Sequence, residues 1–131
     1  MEARQLGNSG LMVSPIALGT MSWGRDVPWE QSRDLVTDFL AAGGNLIDTA
    51  PAYGGGLAER MLGRLFAAGL PREDVIVATK AGFTIRDGRR VVDTSRGAML
   101  NDLEQSLRRM RTDHVALWQV HAWGEAPIEE T

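Results

Sequence analysis

Four side chains of this sequence could share one piece of chemistry: Asp48, Tyr53, Lys80 and His121. A phenol is a weak acid, with an ordinary pKa of about 10. A cation within a few Å favours its ionised form, and Lys80 could be that cation. Asp48 would pair with Lys80, keep it charged and fix its position. A neutral His121 could donate a hydrogen bond to a substrate oxygen and orient it. Together the four would polarise a C=O bond and protonate the alkoxide as hydride arrives, which is carbonyl reduction. Nothing in the chain stores hydride, so a nicotinamide cofactor would have to bring it. Each residue alone also has a plainer reading. A strand-end Asp often binds its own loop, Tyr53 could be an ordinary loop aromatic, a terminal Lys is usually solvated, and a lone His is usually structural. The grouping of all four at one end of apolar strands favours a shared role.

The elements that must bring them together can be read around the stretch Asn45–Gly63. Leu46-Ile47 is a short, Gly-flanked apolar run, read as a buried strand that ends in Asp48. Pro51 stops it, and a loop with three glycines, Gly54 to Gly56, begins at Tyr53. From Leu57 the period becomes helical, with Met61, Leu62, Leu65 and Phe66 on one face. Upstream, Asn8-Ser9-Gly10 lies between Arg4–Gly7 and Leu11–Ser14 and reads as a hairpin turn. Ile16–Thr20 is the first buried strand, and Trp29–Ala42 a helix with stripe Leu35, Val36, Phe39 and Leu40, closed by Gly43-Gly44. Downstream, Asp74–Lys80 is an apolar, β-branched strand ending in a lysine. Ile85-Arg86 and Arg90-Val91 around Asp87-Gly88 form a minor hairpin. Thr94 or Ser95 caps a third helix bearing Met99, Leu103, Leu107 and Met110. Val115–His121 is the fourth strand, and Pro127–Thr131 opens a fourth helix.

Strands alternating with helices predict a parallel α/β sheet with right-handed crossovers. The carboxyl ends of such strands are the usual site of chemistry. No Gly-x-Gly-x-x-Gly follows the first strand, which argues against a dinucleotide-binding doubly wound domain. About four βα units match half of a (β/α)8 TIM barrel, for which about 250 residues is typical; the chain has 131. In a barrel the inward side chains would include Ile47, Val77 and Leu117.

Composition narrows the function classes. Hydrophobic residues are 44% and charged residues 24%, as in ordinary globular domains. A net charge of -3 gives no reason to expect nucleic acid or an anionic membrane as partner. There are no cysteines, so disulfides and Cys-based metal sites are excluded, and no metal site is expected. No apolar run approaches the ~20 residues of a membrane span, and the N-terminus lacks the apolar core of a signal peptide. A cytoplasmic location fits these features.

The sequence resembles the aldo-keto reductase family along nearly its whole length. The resemblance is carried by Leu6-Gly7-Asn8-Ser9-Gly10-Leu11, Leu18-Gly19-Thr20-Met21-Ser22-Trp23-Gly24, Asp48-Thr49-Ala50 with Tyr53-Gly54, Glu59 with Leu62-Gly63, Ala78-Thr79-Lys80, Ser106-Leu107, Thr112-Asp113 and Gln119-Val120-His121. It implies a (β/α)8 barrel, of which residues 1–131 would be the N-terminal half, with the initial hairpin closing its bottom. It also implies NADPH-dependent reduction of aldehydes and ketones to alcohols. Tyr53 would be the general acid, Lys80 its charged partner, Asp48 the partner of Lys80, and His121 the group that orients substrate. Gly19, Thr20, Met21 and Trp23 would lie by the nicotinamide and Asp48 near its ribose. The family is about twice this length, so most of its NADPH contacts would fall outside this half, and a truncated form is expected. Two local departures stand out: Ala58 replaces a frequent Ser, and Ala122–Ala126 is shortened and lacks an Asp after its Trp. A regulatory relative that binds NADPH without catalysis, and an inactive half-barrel, are the alternative readings. Half a barrel would also expose the edges of Ile16–Thr20 and Val115–His121, which predicts self-association.

Overall fold

The computed structural model describes residues 1–131. The chain opens with an antiparallel hairpin, β1 (Arg4–Gln5) and β2 (Met12–Val13), paired Arg4 to Val13 and Gln5 to Met12. Ser9 holds its turn, donating to the Leu6 carbonyl and accepting from the Leu11 amide. Three βα units follow: β3 (Ala17–Gly19) with α1 (Trp29–Ala41), β4 (Leu46–Asp48) with α2 (Leu57–Ala67), and β5 (Ile76–Ala81) with α3 (Arg96–Met110). A second hairpin, β6 (Phe83–Arg86) and β7 (Arg89–Val92), is inserted between β5 and α3, and β8 (Leu117–Val120) completes the sheet. The central sheet is parallel in the order β3-β4-β5-β8.

The expected strands are present but shorter. Asp74 belongs to a 3-10 turn, Arg72–Asp74, rather than to β5. There the Arg72 guanidinium binds the Val75 and His114 carbonyls and the Thr112 hydroxyl, which ties the start of β5 to the start of β8. The Pro127 segment makes a single turn, with the Glu130 and Thr131 amides bonded to the Pro127 carbonyl, and no fourth helix forms. A turn or two cannot repay the entropy of helix nucleation. Asp87 and Gly88 both have positive φ, as a two-residue hairpin turn requires.

Helix ends follow one pattern. At α1, Gly43 has φ +81°, and the Gly44 amide reaches back to the Phe39 carbonyl. The same closure occurs at Gly69 after α2 and, unusually, at Arg111 with φ 54° after α3. Helix α2 is the most enclosed helix: Ala58, Met61, Leu62 and Leu65 are buried against the sheet. At Gly63 it crosses α3 so closely that a Cβ would meet the Arg109 carbonyl oxygen at 2.5 Å.

Register fixes which side chains face the site. Gly19, Asp48, Ala78 and Leu117 stand in one row across the sheet, and Lys80 and Gln119 form the row two residues on. Side chains alternate faces along a strand, so this face is the inner wall of the half-barrel. Leu18, Ile47 and Val77 occupy the other face. Ile47 and Val77 are both 0% exposed, and they pack with Leu62, Leu65 and Val36 beneath the helices. The expectation that Ile47 and Val77 point inward is therefore corrected: the parity that aims Asp48 and Lys80 inward turns their neighbours outward. Leu117 does face inward, in the row with Asp48.

The first hairpin sits at the opposite end from the site. The Ser14 amide donates to the Asn45 Oδ1 at 2.7 Å, and the Asn45 side-chain amide donates to the Met12 carbonyl at 3.0 Å. Both bonds lie before β3 and β4 begin, at the amino-terminal mouth of the sheet. No helix is long and apolar enough to cross a membrane.

Candidate active site

Asp48 ends β4, Lys80 lies one residue before the end of β5, and His121 follows β8, so three neighbouring strands deliver three polar groups to one rim. Tyr53 arrives differently. After β4 the chain turns through Ala50–Ala52, the Tyr53 amide bonds the Ala50 carbonyl, and Gly54, Gly55 and Gly56 take φ values of 59°, 62° and 87°. Three successive left-handed residues reverse the chain in the space of one turn, which glycine alone does without strain. That reversal folds Tyr53 back over the strand ends while α2 starts immediately behind it.

Lys80 is the centre of the cluster. Its Nζ donates to Asp48 Oδ1 at 2.7 Å, to the Thr49 carbonyl at 3.0 Å and to the Tyr53 hydroxyl at 3.1 Å. An ammonium group has three protons, and all three are used here. The Lys80 side chain is 14% exposed and that of Asp48 32%. The Tyr53 hydroxyl lies 3.5 Å from Asp48 Oδ2, at the limit of a hydrogen bond. The phenol oxygen therefore accepts firmly from Lys80 while its own proton is only weakly engaged by the protein.

His121 completes the group. Its ring meets Tyr53 edge-on at a centroid distance of 5.9 Å and leans on Phe83 at 5.0 Å. Burial pushes its pKa below the usual 6.5, and the Lys80 charge pushes the same way, only partly opposed by Asp48. The Nδ1 atom is sealed from solvent with no protein partner.

The expected cofactor residues lie beside this cluster in different ways. The Thr20 hydroxyl and amide both bond the Asp48 carbonyl at 3.0 Å, and Thr20 is 0% exposed. A Cβ at Gly19 would meet nothing within 4 Å, and Met21 is 60% exposed at the edge of the site. Trp23 is placed in the core instead. It is 1% exposed among Ala58, Met61 and Leu62, and so supports the Met21–Gly24 loop from behind.

A cavity of about 570 Å³ opens over the cluster. Tyr53 and His121 line it together with Met21, Ala52, Phe83 and Ile85, and Arg25 and Arg90 stand at its wall. The sequence reading missed Phe83, Ile85 and Arg90 as site residues. The available signal was alternation: every second residue of a hairpin that follows the strand bearing Lys80 shares one face. It also missed the buried support behind the site. Glu59, 0% exposed, accepts from the Thr79 hydroxyl at 2.8 Å and from Arg109 Nε at 2.5 Å. This links α2 and α3 to the strand residue next to Lys80.

An ammonium held between a carboxylate and a phenol, with a neutral imidazole across a cavity, is an arrangement for moving one proton to a bound oxygen. In comparison with known proteins, the aldo/keto reductase family model matches residues 15–131. The chain belongs to the aldo/keto reductase family. It is 35% identical to the aldo-keto reductase YhdN of Bacillus subtilis (strain 168), an alignment that covers 100% of this chain and 41% of that protein. It is 37% identical to an L-galactose dehydrogenase of Arabidopsis thaliana, over 92% of this chain and 38% of that one. The holo structure of an aldo-keto reductase from Bacillus halodurans superposes with a TM-score of 0.87 at 35% identity, covering 99% of this chain and 43% of that chain. The chain thus spans less than half the length of these aldo/keto reductases, and its parallel sheet corresponds to part of their barrel.

Proposed function

We propose that the site carries the proton-transfer half of an NADP(H)-dependent reduction of aldehydes and ketones to alcohols. The observation that carries this reading is Lys80 Nζ, bonded at once to Asp48 Oδ1 at 2.7 Å and to the Tyr53 hydroxyl at 3.1 Å. Bound nicotinamide would supply the hydride. The residues present suit a flat ring: there is open space over Gly19, Met21 is exposed beside it, and Thr20 fixes the Asp48 backbone. Gly19, Thr20, Met21 and Asp48 would hold that ring, with Trp23 beneath the loop.

Tyr53 gives its proton to the substrate oxygen, and the Lys80 ammonium stabilises the phenolate left behind. Asp48 keeps that ammonium in place. His121 acts as a hydrogen-bond donor. With Nδ1 buried and unpartnered, the neutral ring is better served by a bare lone pair there than by an orphaned N–H, which puts the proton on Nε2.

Tyr53→Phe tests the assignment. Because the relatives are more than twice as long, the assay is run on the chain alone and on the chain joined to the remaining barrel half of the Bacillus halodurans protein. NADPH oxidation with 4-nitrobenzaldehyde should fall at least ~100-fold, the scale of general-acid catalysis, with little change in NADPH affinity. Turnover at the parent rate by the Phe variant would remove Tyr53 as the acid.

A further inference from the structure

The charge pattern of the cavity wall points to the kind of carbonyl compound that fits it. We propose that the substrate carries a carboxylate, or a similar anionic group, and that Arg90 binds it. This rests on the reductase reading for the carbonyl end of the molecule and adds the other end.

Hairpin geometry singles out one arginine. In β6 and β7 the opposed pairs are Phe83 with Val92, Thr84 with Val91, Ile85 with Arg90, and Arg86 with Arg89. Directly opposed residues share a face, and the face alternates along the strand. Phe83, Ile85 and Arg90 therefore lie on the same side, and all three line the cavity. Arg86 and Arg89 fall on the opposite side. That inward face is anchored to the chemistry, because the Phe83 ring rests on His121 at 5.0 Å.

The charge at Arg90 is unmatched. No acidic residue lines the cavity, and its other arginine, Arg25, is already bound to Asp26. Arg90 forms no ion pair. A guanidinium fork beside the apolar side chains of Phe83 and Ile85 matches a carboxylate in geometry and charge. Two residues along a strand span roughly 6.8 Å, the step from Phe83, which rests on His121, to Ile85, which is paired with Arg90. An anion on Arg90 is therefore set back from the His121 end of the cavity by at least that step, and the substrate needs a spacer between its two ends. Met21, Phe83 and Ile85 provide the apolar walls for such a spacer.

The test compares two aldehydes that differ only in the charged group, 4-carboxybenzaldehyde and benzaldehyde, titrated into the 131-residue chain. Binding is followed by the NMR resonances of the His121 ring and of Tyr53, the only tyrosine. The carboxylated compound should shift both residues and bind about tenfold more tightly, the worth of one charge-assisted hydrogen bond. Arg90→Gln should abolish the preference. Arg89→Gln, on the outer face of the same hairpin, should leave it intact and rule out a general charge effect. The proposal is overturned if neither aldehyde binds, if the two bind equally, or if both arginine variants reduce the preference alike. It is also overturned if Arg90→Gln weakens NADPH binding while the carboxylate preference persists, since the arginine would then serve cofactor phosphate. These are binding measurements. If the preference is seen but the chain joined to the remaining barrel does not turn over with NADPH, the reductase reading is contradicted and the anion site is left standing.

Discussion

His121 stands between two influences that make its protonation costly, loss of solvent and the Lys80 charge. Its folded pKa lies below 6.5, so between that value and 6.5 the unfolded chain binds more protons than the folded one. Stability therefore rises with pH through this window. The contribution is fully present above pH 6.5 and is lost as pH falls through the folded pKa. The His121 ring proton should titrate by NMR with a midpoint below 6.5, and Lys80→Met should move that midpoint upward by removing one of the two causes. In denaturant melts, His121→Phe should flatten the loss of stability between pH 7.5 and pH 5. A midpoint at or above 6.5 would remove the argument that the ring is held neutral for hydrogen-bond donation.

At the scale of elements, a buried ion pair supports the site from behind. The Glu59 carboxylate is completely enclosed, and it is held by Arg109 from α3 and Thr79 from β5. Arg109→Met would leave a buried charge without its partner, a change that typically costs 3–5 kcal/mol. That is a large part of the ~5–15 kcal/mol that holds a domain together. We expect the urea midpoint to fall sharply for Arg109→Met and much less for Glu59→Gln with Arg109 intact. Equal, small shifts would show that the pair is not a principal tie between helices and sheet. This contact could not be read from the sequence, because fifty positions separate the partners and neither has a local pattern. The helices could be read, since their stripes at Val36, at Met61–Leu65 and at Met99–Met110 follow helical periodicity. Strand ends were legible where an apolar run met Asp48, Lys80 or His121. The facing of Ile47 and Val77 was not, because an apolar residue suits either side of a sheet covered on both. Only the polar residues of the same strand decide the parity. Trp23 shows the limit of resemblance: its place in a shared motif says it is near the site, while its burial in the core says which way the ring points.

At the scale of the whole molecule, the sheet is open at both ends. Strand β3 pairs only with β4 and β8 only with β5, whereas a closed barrel leaves no strand unpaired. Apolar side chains stand exposed at both edges, Ile16 at 63% and Val120 at 46%, and Trp123 and Ile128 are exposed at 80% and 66% just beyond β8. All four strands are parallel, so the β8 edge of one copy can join the β3 edge of another in the same sense as the existing pairs. Doing so at both edges under a two-fold axis gives a ring of eight parallel strands. Under the two-fold, β8 of each copy meets β3 of the other, so the two seams are equivalent and the assembly is closed. The 131-residue chain, at tens of micromolar in size exclusion with light scattering, is expected at about twice its 14.3 kDa mass or larger. Lysines introduced at Ile16 and Val120 should shift it toward the monomer, because charge on an edge strand opposes pairing and both positions are exposed enough to accept it. A chain that runs as a 14.3 kDa monomer at these concentrations, with or without the lysines, would show that the open edges do not drive pairing between copies and would overturn this prediction.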